Sequence, residues 1–445
     1  MSTRLLWLVK ISQISFKVKN IRYYIFWLVD YLKGSKIRKH YKEIESIYKS
    51  EPGSVKQKNN RLFDLLTYAT QNTAFYKDCV AQDLSTYPVL TKQSIMRNIE
   101  ALFSREYADI RESLKTMTTS GSTGTPLKVY QNVEKFRRNK ADLLFFYKIG
   151  GYDIGDRFYF MRTWTKLNRK PVLSRFFENL KEFNLINLDI EGANQFTESM
   201  VADTRPKVLL AYASTIHALM DKIRNVNINW SIKAFFTGAE ELPVNIKNQM
   251  QETFRCPVMS RYSNQECGIL GQQPITGENF FRLNEGSYHF EFLKIGSDEN
   301  AEEGEKARIV VTDLFNKAMP IIRYDTGDIG VFRIDEEGKR ILSEINGRYT
   351  DFLKTNDGKM LSPHVITNLM WEYNHIVQFQ FIQESLTAFK MILKCAGEED
   401  IITIAKDLET KLRDIFGQKS VIEIIRADEI PSEKSGKRKY IISKV

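Results

Sequence analysis

Thr116-Met117-Thr118-Thr119-Ser120-Gly121-Ser122-Thr123-Gly124-Thr125-Pro126-Leu127-Lys128-Val129-Tyr130 is the stretch on which the reading of the chain turns. Its two glycines let the backbone bend and approach a guest closely, and its run of hydroxyls supplies neutral hydrogen-bond donors. Leu127 to Tyr130 then alternates apolar and polar residues, as strands do. The combination suits a loop whose N–H groups and hydroxyls close around an anion, most naturally a phosphate. An idle Ser/Thr/Gly surface turn has the same composition, so the stretch alone leaves both readings open. It is not a Walker loop, because Gly121 and Gly124 do not follow the G-x-x-x-x-G-K-[ST] spacing.

The 445 residues, 42% hydrophobic and 27% charged, have the composition of an ordinary globular protein. Cys79, Cys256, Cys267 and Cys395 lie far apart and form no C-x-x-C pair, which points to reduced thiols in a cytoplasmic protein rather than a disulfide framework or a zinc site. The net charge of +10 raises the question of nucleic acid, and its distribution answers it. Residues 1–50 hold eleven Lys/Arg against three Asp/Glu, a net of +8, so the body is nearly neutral. With no DNA- or RNA-binding signature in that body, no nucleic-acid partner is expected.

Residues 1–50 read as a basic, aromatic helical segment, with Trp7, Tyr23, Tyr24, Phe26, Trp27 and Tyr31 among Lys and Arg. Its longest charge-free apolar run, Tyr23–Val29, falls far short of the roughly 18 residues that a spanning helix needs. Two readings remain: peripheral contact of residues 1–45 with an anionic membrane, or a helix packed on the protein's own body with a solvated charged face. Beyond it, Leu62, Leu65, Leu66 and Ala69 recur at helical spacing, and Thr91 is placed to cap a further helix. Arg157–Arg162, Lys207–Tyr212 and Lys233–Thr237 read as strands with helical stretches between them, which implies parallel β–α–β units. Strands are expected at Ala307–Thr312 and Ile321–Tyr324, and Thr326-Gly327-Asp328 reads as a tight turn. After Gly347 a compact set follows: strands Val377–Ile382 and Phe389–Leu393, a helix over Asp400–Phe416, and strand Val421–Arg426.

Six short elements in order now carry a resemblance. They are Thr119-Ser120-Gly121-Ser122-Thr123-Gly124-Thr125-Pro126, Gly238-Ala239-Glu240, Tyr262-Ser263-Asn264-Gln265-Glu266-Cys267-Gly268, Arg323-Tyr324-Asp325-Thr326-Gly327-Asp328, Gly347-Arg348 with Asp351, and Ser435-Gly436-Lys437. Together they resemble the adenylate-forming superfamily of acyl-CoA synthetases, in its phenylacetate–CoA ligase-like and capsular-polysaccharide branch. The resemblance implies an α/β fold: a large adenylate-forming domain of layered sheets and helices over residues 51–346, and a small mobile α+β lid over 347–445. It also implies ATP and Mg2+ as cofactors, a small-molecule carboxylic acid as substrate, and an acyl-adenylate as product.

By the same resemblance each element has a task. Thr119, Ser120, Gly121, Ser122, Thr123, Gly124 and Thr125 wrap the outer phosphates of ATP, while Gly238, Ala239 and Glu240 border the nucleotide. Tyr262 stacks on adenine, Glu266 meets the metal, and Asp328 holds the ribose hydroxyls with an acceptor-only group. Arg348 lies near ribose and phosphates, and Asp351 is the hinge of the lid. Lys437 reaches the α-phosphate, where its compact charge offsets developing negative charge. The acceptor of the acyl group is CoA, or an amine or hydroxyl, as in an amino acid–sugar amide ligase that joins an amino acid to a sugar's carboxyl group. A catalytically silent nucleotide-binding scaffold is the rival reading, and the presence of Glu266, Asp328 and Lys437 together argues against it.

Overall fold

The computed structural model describes residues 20–118, 127–162, 170–184, 190–220, 222–223, 228–238, 240–348, 353–355, 360–361, 364–370, 372–373, 376–395, 400–430 and 440–445. Its helices, in chain order, are α1 (Ile21–Leu32), α2 (Lys36–Tyr48), α3 (Ser54–Asn72), α4 (Lys92–Arg97), α5 (Ile99–Leu102), α6 (Val133–Ile149), α7 (Val172–Phe177), α8 (Ile190–Ala202), α9 (Ala213–Met220), α10 (Val244–Phe254), α11 (His364–Met370) and α12 (Asp400–Phe416). Thr91 caps α4 in a reciprocal capping box with Ser94. The apolar stripe of α3 is buried as its spacing predicts, with Leu62, Leu65, Leu66 and Ala69 all in the core.

One 11-stranded sheet organises most of the chain. Half of it is parallel: β3 (Arg157–Arg162) lies between β4 (Leu180–Asn184) and β5 (Lys207–Ala211), and β5 is followed by β6 (Ile232–Gly238) and β7 (Val258–Asn264). The other half is antiparallel, running through β8 (Gly268–Gln272), β9 (Phe281–Leu283), β13 (Arg340–Arg348), β12 (Tyr324–Ile334), β11 (Lys306–Asp313) and β10 (Tyr288–Lys294). The change of direction falls at the β7–β8 hairpin. β1 (Lys115–Thr118) and β2 (Lys128–Gln131) form a separate antiparallel pair.

Two expectations need correction. Ile321–Arg323 is not strand, since β12 begins at Tyr324, and Thr326-Gly327-Asp328 lies inside β12 rather than between strands. The turn chemistry is nevertheless real: the Asp325 carboxylate accepts from Gly327 N at 2.9 Å, Thr326 Oγ1 accepts from Asp328 N at 3.2 Å, and Gly327 has φ of +79°. A bulge against β13 absorbs it, so the strand continues through a kink.

The C-terminal domain has its own four-stranded sheet, ordered β18 (Val421–Arg426), β17 (Ala388–Cys395), β16 (Ile376–Gln383) and β19 (Ile441–Ser443). Leu408, Leu412 and Phe416 of α12 fill its core together with Phe381 and Phe389 of the sheet. A short hairpin, β14 (Leu353–Lys354) with β15 (Met360–Leu361), precedes that sheet in the chain.

Candidate active site

The parallel strands β6 and β7 end on the same edge, where open α/β sheets collect their ligands. Gly238 closes β6 beside Arg261 of β7, and Glu240 follows half-buried; Ala239 lies outside the described residues. The chain then reverses through Tyr262–Gly268. Asn264 pairs with Gly268, and its side chain accepts from Cys267 N at 2.8 Å, which fixes the turn that presents Glu266. Gly268 sits at φ of +122°, and a Cβ there would meet Asn139 Oδ1 and Tyr288 Oη at 3.1 Å. A side chain at that position would open the turn.

Three strands converge on this hairpin. The Tyr262 hydroxyl donates to Asp328 Oδ2 at 2.8 Å and lies 3.3 Å from Thr326 Oγ1, which itself donates to the Ile309 carbonyl. Burial, and then the Asp328 charge, push the Tyr262 phenol well above its ordinary range, so it is a donor throughout the usable pH range. Glu266 is 8% exposed, and among the described residues its side chain takes a single hydrogen bond, from Tyr324 Oη to Oε1 at 3.3 Å. Register places Arg348 opposite Asp328 across β12 and β13. Two of the six sequence elements are thereby joined by hydrogen bonds of Tyr262 and Tyr324, and a third stands beside them.

The root of the Thr119–Thr125 loop belongs to the same place. β1 and β2 flank that loop with Thr118 opposite Lys128, and Gln131 at the end of β2 donates through Nε2 to the Glu266 carbonyl at 3.4 Å. Residues 119–126 themselves, with Asp351 and Lys437, lie outside the described residues.

Beneath the hairpin runs a buried polar column that sequence reasoning did not find. Lys135 of α6 pairs with Asp313 at 2.7 Å, both fully buried, and donates to Tyr288 Oη at 3.0 Å. Tyr288 in turn donates to the Cys267 carbonyl at 2.6 Å. No local pattern marks these residues, because each partner comes from a distant part of the chain. Tyr324 was visible as a letter of its motif without a task. Arg323 and Asp325 of that motif are structural: Arg323 pairs with Glu291 at 3.0 Å and Asp325 with Arg308 at 2.9 Å.

The described residues contain no cluster of three or more His, Cys, Asp or Glu able to hold a metal by themselves. A lone carboxylate such as Glu266, with one oxygen engaged by Tyr324, fits Mg2+ of the kind that keeps waters and shares substrate phosphates. His289 is neutral near pH 7, since burial and then Lys58 lower it to about 4.

Residues 353–444 match the family model for the CapK C-terminal domain. Protein CapK of Staphylococcus aureus is 22% identical over 442 residues, covering 93% of this chain and 94% of that one. A 2-hydroxyisobutyryl-CoA ligase in the postadenylation state, in complex with 2-HIB-AMP, superposes with a TM-score of 0.69 at 14% identity over 87% of this chain and 88% of that one. ATP-bound MatB from Rhodopseudomonas palustris gives 0.53 at 17% identity over 72% and 65%. The fold is that of the adenylate-forming ligases.

Proposed function

We propose that this chain, built on the adenylate-forming ligase fold, activates a small carboxylic acid with ATP. A carboxylate oxygen attacks the α-phosphorus, the bond to pyrophosphate breaks, and an acyl-adenylate remains. The observation that supports this most is the Tyr262–Asp328 hydrogen bond at 2.8 Å beside the Glu266 turn. It holds an aromatic ring and a carboxylate in one fixed relation, as a base and its ribose require. In this reading Asp328 accepts from both ribose hydroxyls, Tyr262 packs on adenine with Gly238, Ala239 and Glu240 at its border, and the loop Thr119–Thr125 retains the departing pyrophosphate. Arg348 and Lys437 oppose the charge that gathers at the α-phosphate, and turning about Asp351 moves Lys437 in or away. Glu266 would hold Mg2+, which neutralises phosphate oxygens when bound.

The acyl group then passes to CoA or to an amine or hydroxyl acceptor, and likeness to Protein CapK supports a role in capsule or surface polysaccharide assembly. Carboxylate-dependent ATP–pyrophosphate exchange over aryl acids, amino acids and uronic acids tests the reading. Exchange with at least one acid, lost in Lys437→Ala and Asp328→Ala, is expected. Silence across the whole panel would sink it.

We also propose that the N-terminal segment works at an anionic lipid surface. Ile21, Tyr24, Leu28 and Leu32 of α1 are 70%, 55%, 57% and 74% exposed. Arg22 joins them to α7, whose Val172, Leu173, Phe176 and Phe177 are also exposed, through a hydrogen bond to the Phe176 carbonyl and a contact over its ring. Lys33, Lys36, Arg38 and Lys39 follow on the exposed surface and match anionic headgroups in sign. Among the described residues no helix is long and apolar enough to cross a membrane, so the contact would be peripheral.

A further inference from the structure

Six lysine and arginine side chains are buried among the described residues, and they are not treated alike. Lys135 has Asp313 at 2.7 Å, Arg138 has Glu43 at 3.5 Å and Asp142 at 3.8 Å, and Arg323 has Glu291 at 3.0 Å. Lys207 donates to the Met200 and Trp230 carbonyls, and Lys247 to four oxygens of residues 273–279. Among the described residues Arg261 has neither a carboxylate nor a set of carbonyls. Its Nε and Nη2, at 3.3 and 2.9 Å, share one acceptor, Gln272 Oε1. The guanidinium carbon lies 4.2 Å from the Tyr147 ring centroid and 5.5 Å from that of Phe236. Ring faces attract a cation but do not replace a counter-charge, and a desolvated, unpaired cation is costly.

The place of this anomaly gives it meaning. Arg261 stands opposite Gly238 and immediately before Tyr262, at the carboxyl edge of the sheet. Met259 and Arg261 share the face that carries Tyr147, Phe158 and Phe236, whereas Tyr262 belongs to the cluster on the other side. A ligand that crossed this edge with its nucleotide on Tyr262 would meet Arg261 with its far end. The side chain keeps 7% of its surface open, and five N–H donors on a planar fork suit an oxyanion better than any neutral group.

We propose that Arg261 binds a second anionic group of the acyl substrate, a carboxylate or phosphate distinct from the carboxylate that is activated. The inference rests on the ligase reading above and adds the class of acid. The reacting carboxylate cannot itself be the counter-ion, because adenylation removes its charge and would leave the guanidinium unpaired again. A second anion keeps its charge through the reaction.

Two matched pairs test this: glutarate against valerate, and phosphoglycerate against glycerate. They are compared in ATP–pyrophosphate exchange with wild type and Arg261→Met, and in calorimetric titration without ATP. In at least one pair the anionic member should be preferred by about tenfold or more in kcat/KM, as expected for a charge-assisted hydrogen-bonded pair. The responding pair distinguishes carboxylate from phosphate. Arg261→Met should bring the ratio near one; removal of an unpaired charge and loss of the donors to Gln272 Oε1 act on Tm in opposite directions, so the ratio is the readout. Gln272→Glu, which supplies the missing carboxylate from the protein, should also erase the preference, and it serves if Arg261→Met does not fold. Exchange without preference, or a preference that survives both variants, overturns the anion site and leaves the ligase reading intact. Binding of glutarate or phosphoglycerate that depends on Arg261, with no exchange from any acid, does the reverse. Absence of both overturns both.

Discussion

α1 and α2 are consecutive helices of one basic, aromatic segment, and the structure gives them opposite fates. In α2, Ile37, Tyr41, Ile44 and Tyr48 form a stripe that packs with Phe145 and Phe146 of α6, and Lys36, Arg38, Lys39 and Lys42 take the outer face. Glu43 adds a two-pronged bond to Arg61 at 2.6 and 2.7 Å and approaches the buried Arg138. α1 has only Arg22 and Asp30 as charged residues, so it has no polar face to give to water. Its single buried residue, Asp30, caps α2 by accepting from Ile37 N at 3.0 Å and Arg38 N at 2.9 Å. Of the two readings posed for the whole segment, the packed helix describes α2, and the lipid contact proposed above would fall to the exposed side of α1. Composition was common to both; α1 packs only one side, where Trp27 meets Tyr41 at 5.8 Å and Lys140 lies over Phe26, and its remaining apolar residues stay exposed.

Four measurements would sharpen or break that contrast. Arg138→Met should cost about 3–5 kcal/mol in urea unfolding, because Asp142 is left buried without its cation; a loss comparable to that of a surface substitution would mean that the α2–α6 contact carries little. Acid should weaken the same contact. Burial, and then Arg138, lower the His40 pKa below 6.5 despite Glu134 at 2.9 Å, so the imidazole donates to Glu134 as a neutral group. The unfolded chain then takes up the proton more readily than the folded one. The His40 contribution is complete above pH 6.5 and declines as pH falls below it, and His40→Gln should flatten that part of the stability curve. Asp30→Ala should cost about 1 kcal/mol by loss of a cap, read in the same denaturant series.

The smallest change in stability is expected on α1. Leu28→Ser with Leu32→Ser should leave unfolding within about 0.5 kcal/mol of wild type while partition onto anionic phospholipid vesicles falls sharply. Retained partition would refute the lipid surface as occupant. A melting temperature that drops instead would point to residues 1–19 or a second copy of the chain as the cover.

Much of the framework was legible in the sequence. α12 and β18 run over Asp400–Phe416 and Val421–Arg426, the ranges that periodicity and alternation predict, because long regular patterns are set locally. The start of β12 was misjudged because Ile321 and Ile322 look like strand, whereas Arg323 adopts a left-handed φ of +53° to reach Glu291 and Thr312. Tyr262, Glu266 and Asp328 were found through their motifs, and the structure brings them into one place. Lys135, Tyr288 and Asp313 were not found, since a buried ion pair between α6 and β11 leaves no trace in the spacing of either. Arg261 stood one letter before a residue that was singled out. Only the lack of a counter-ion among the described residues distinguishes it, and a counter-ion is a property of space rather than of sequence.

Arg261 and Tyr262 are adjacent in β7 yet serve opposite sides of the sheet, and only the two-residue repeat of a strand keeps them apart. Replacing either residue would produce graded effects. Adding one residue between Val258 and Ser260 would carry the guanidinium into the place of the phenol, facing Asp328, and turn the phenol to the other side. A scan of single-residue insertions should find this strand intolerant of changes in length, even where it accepts changes of side chain.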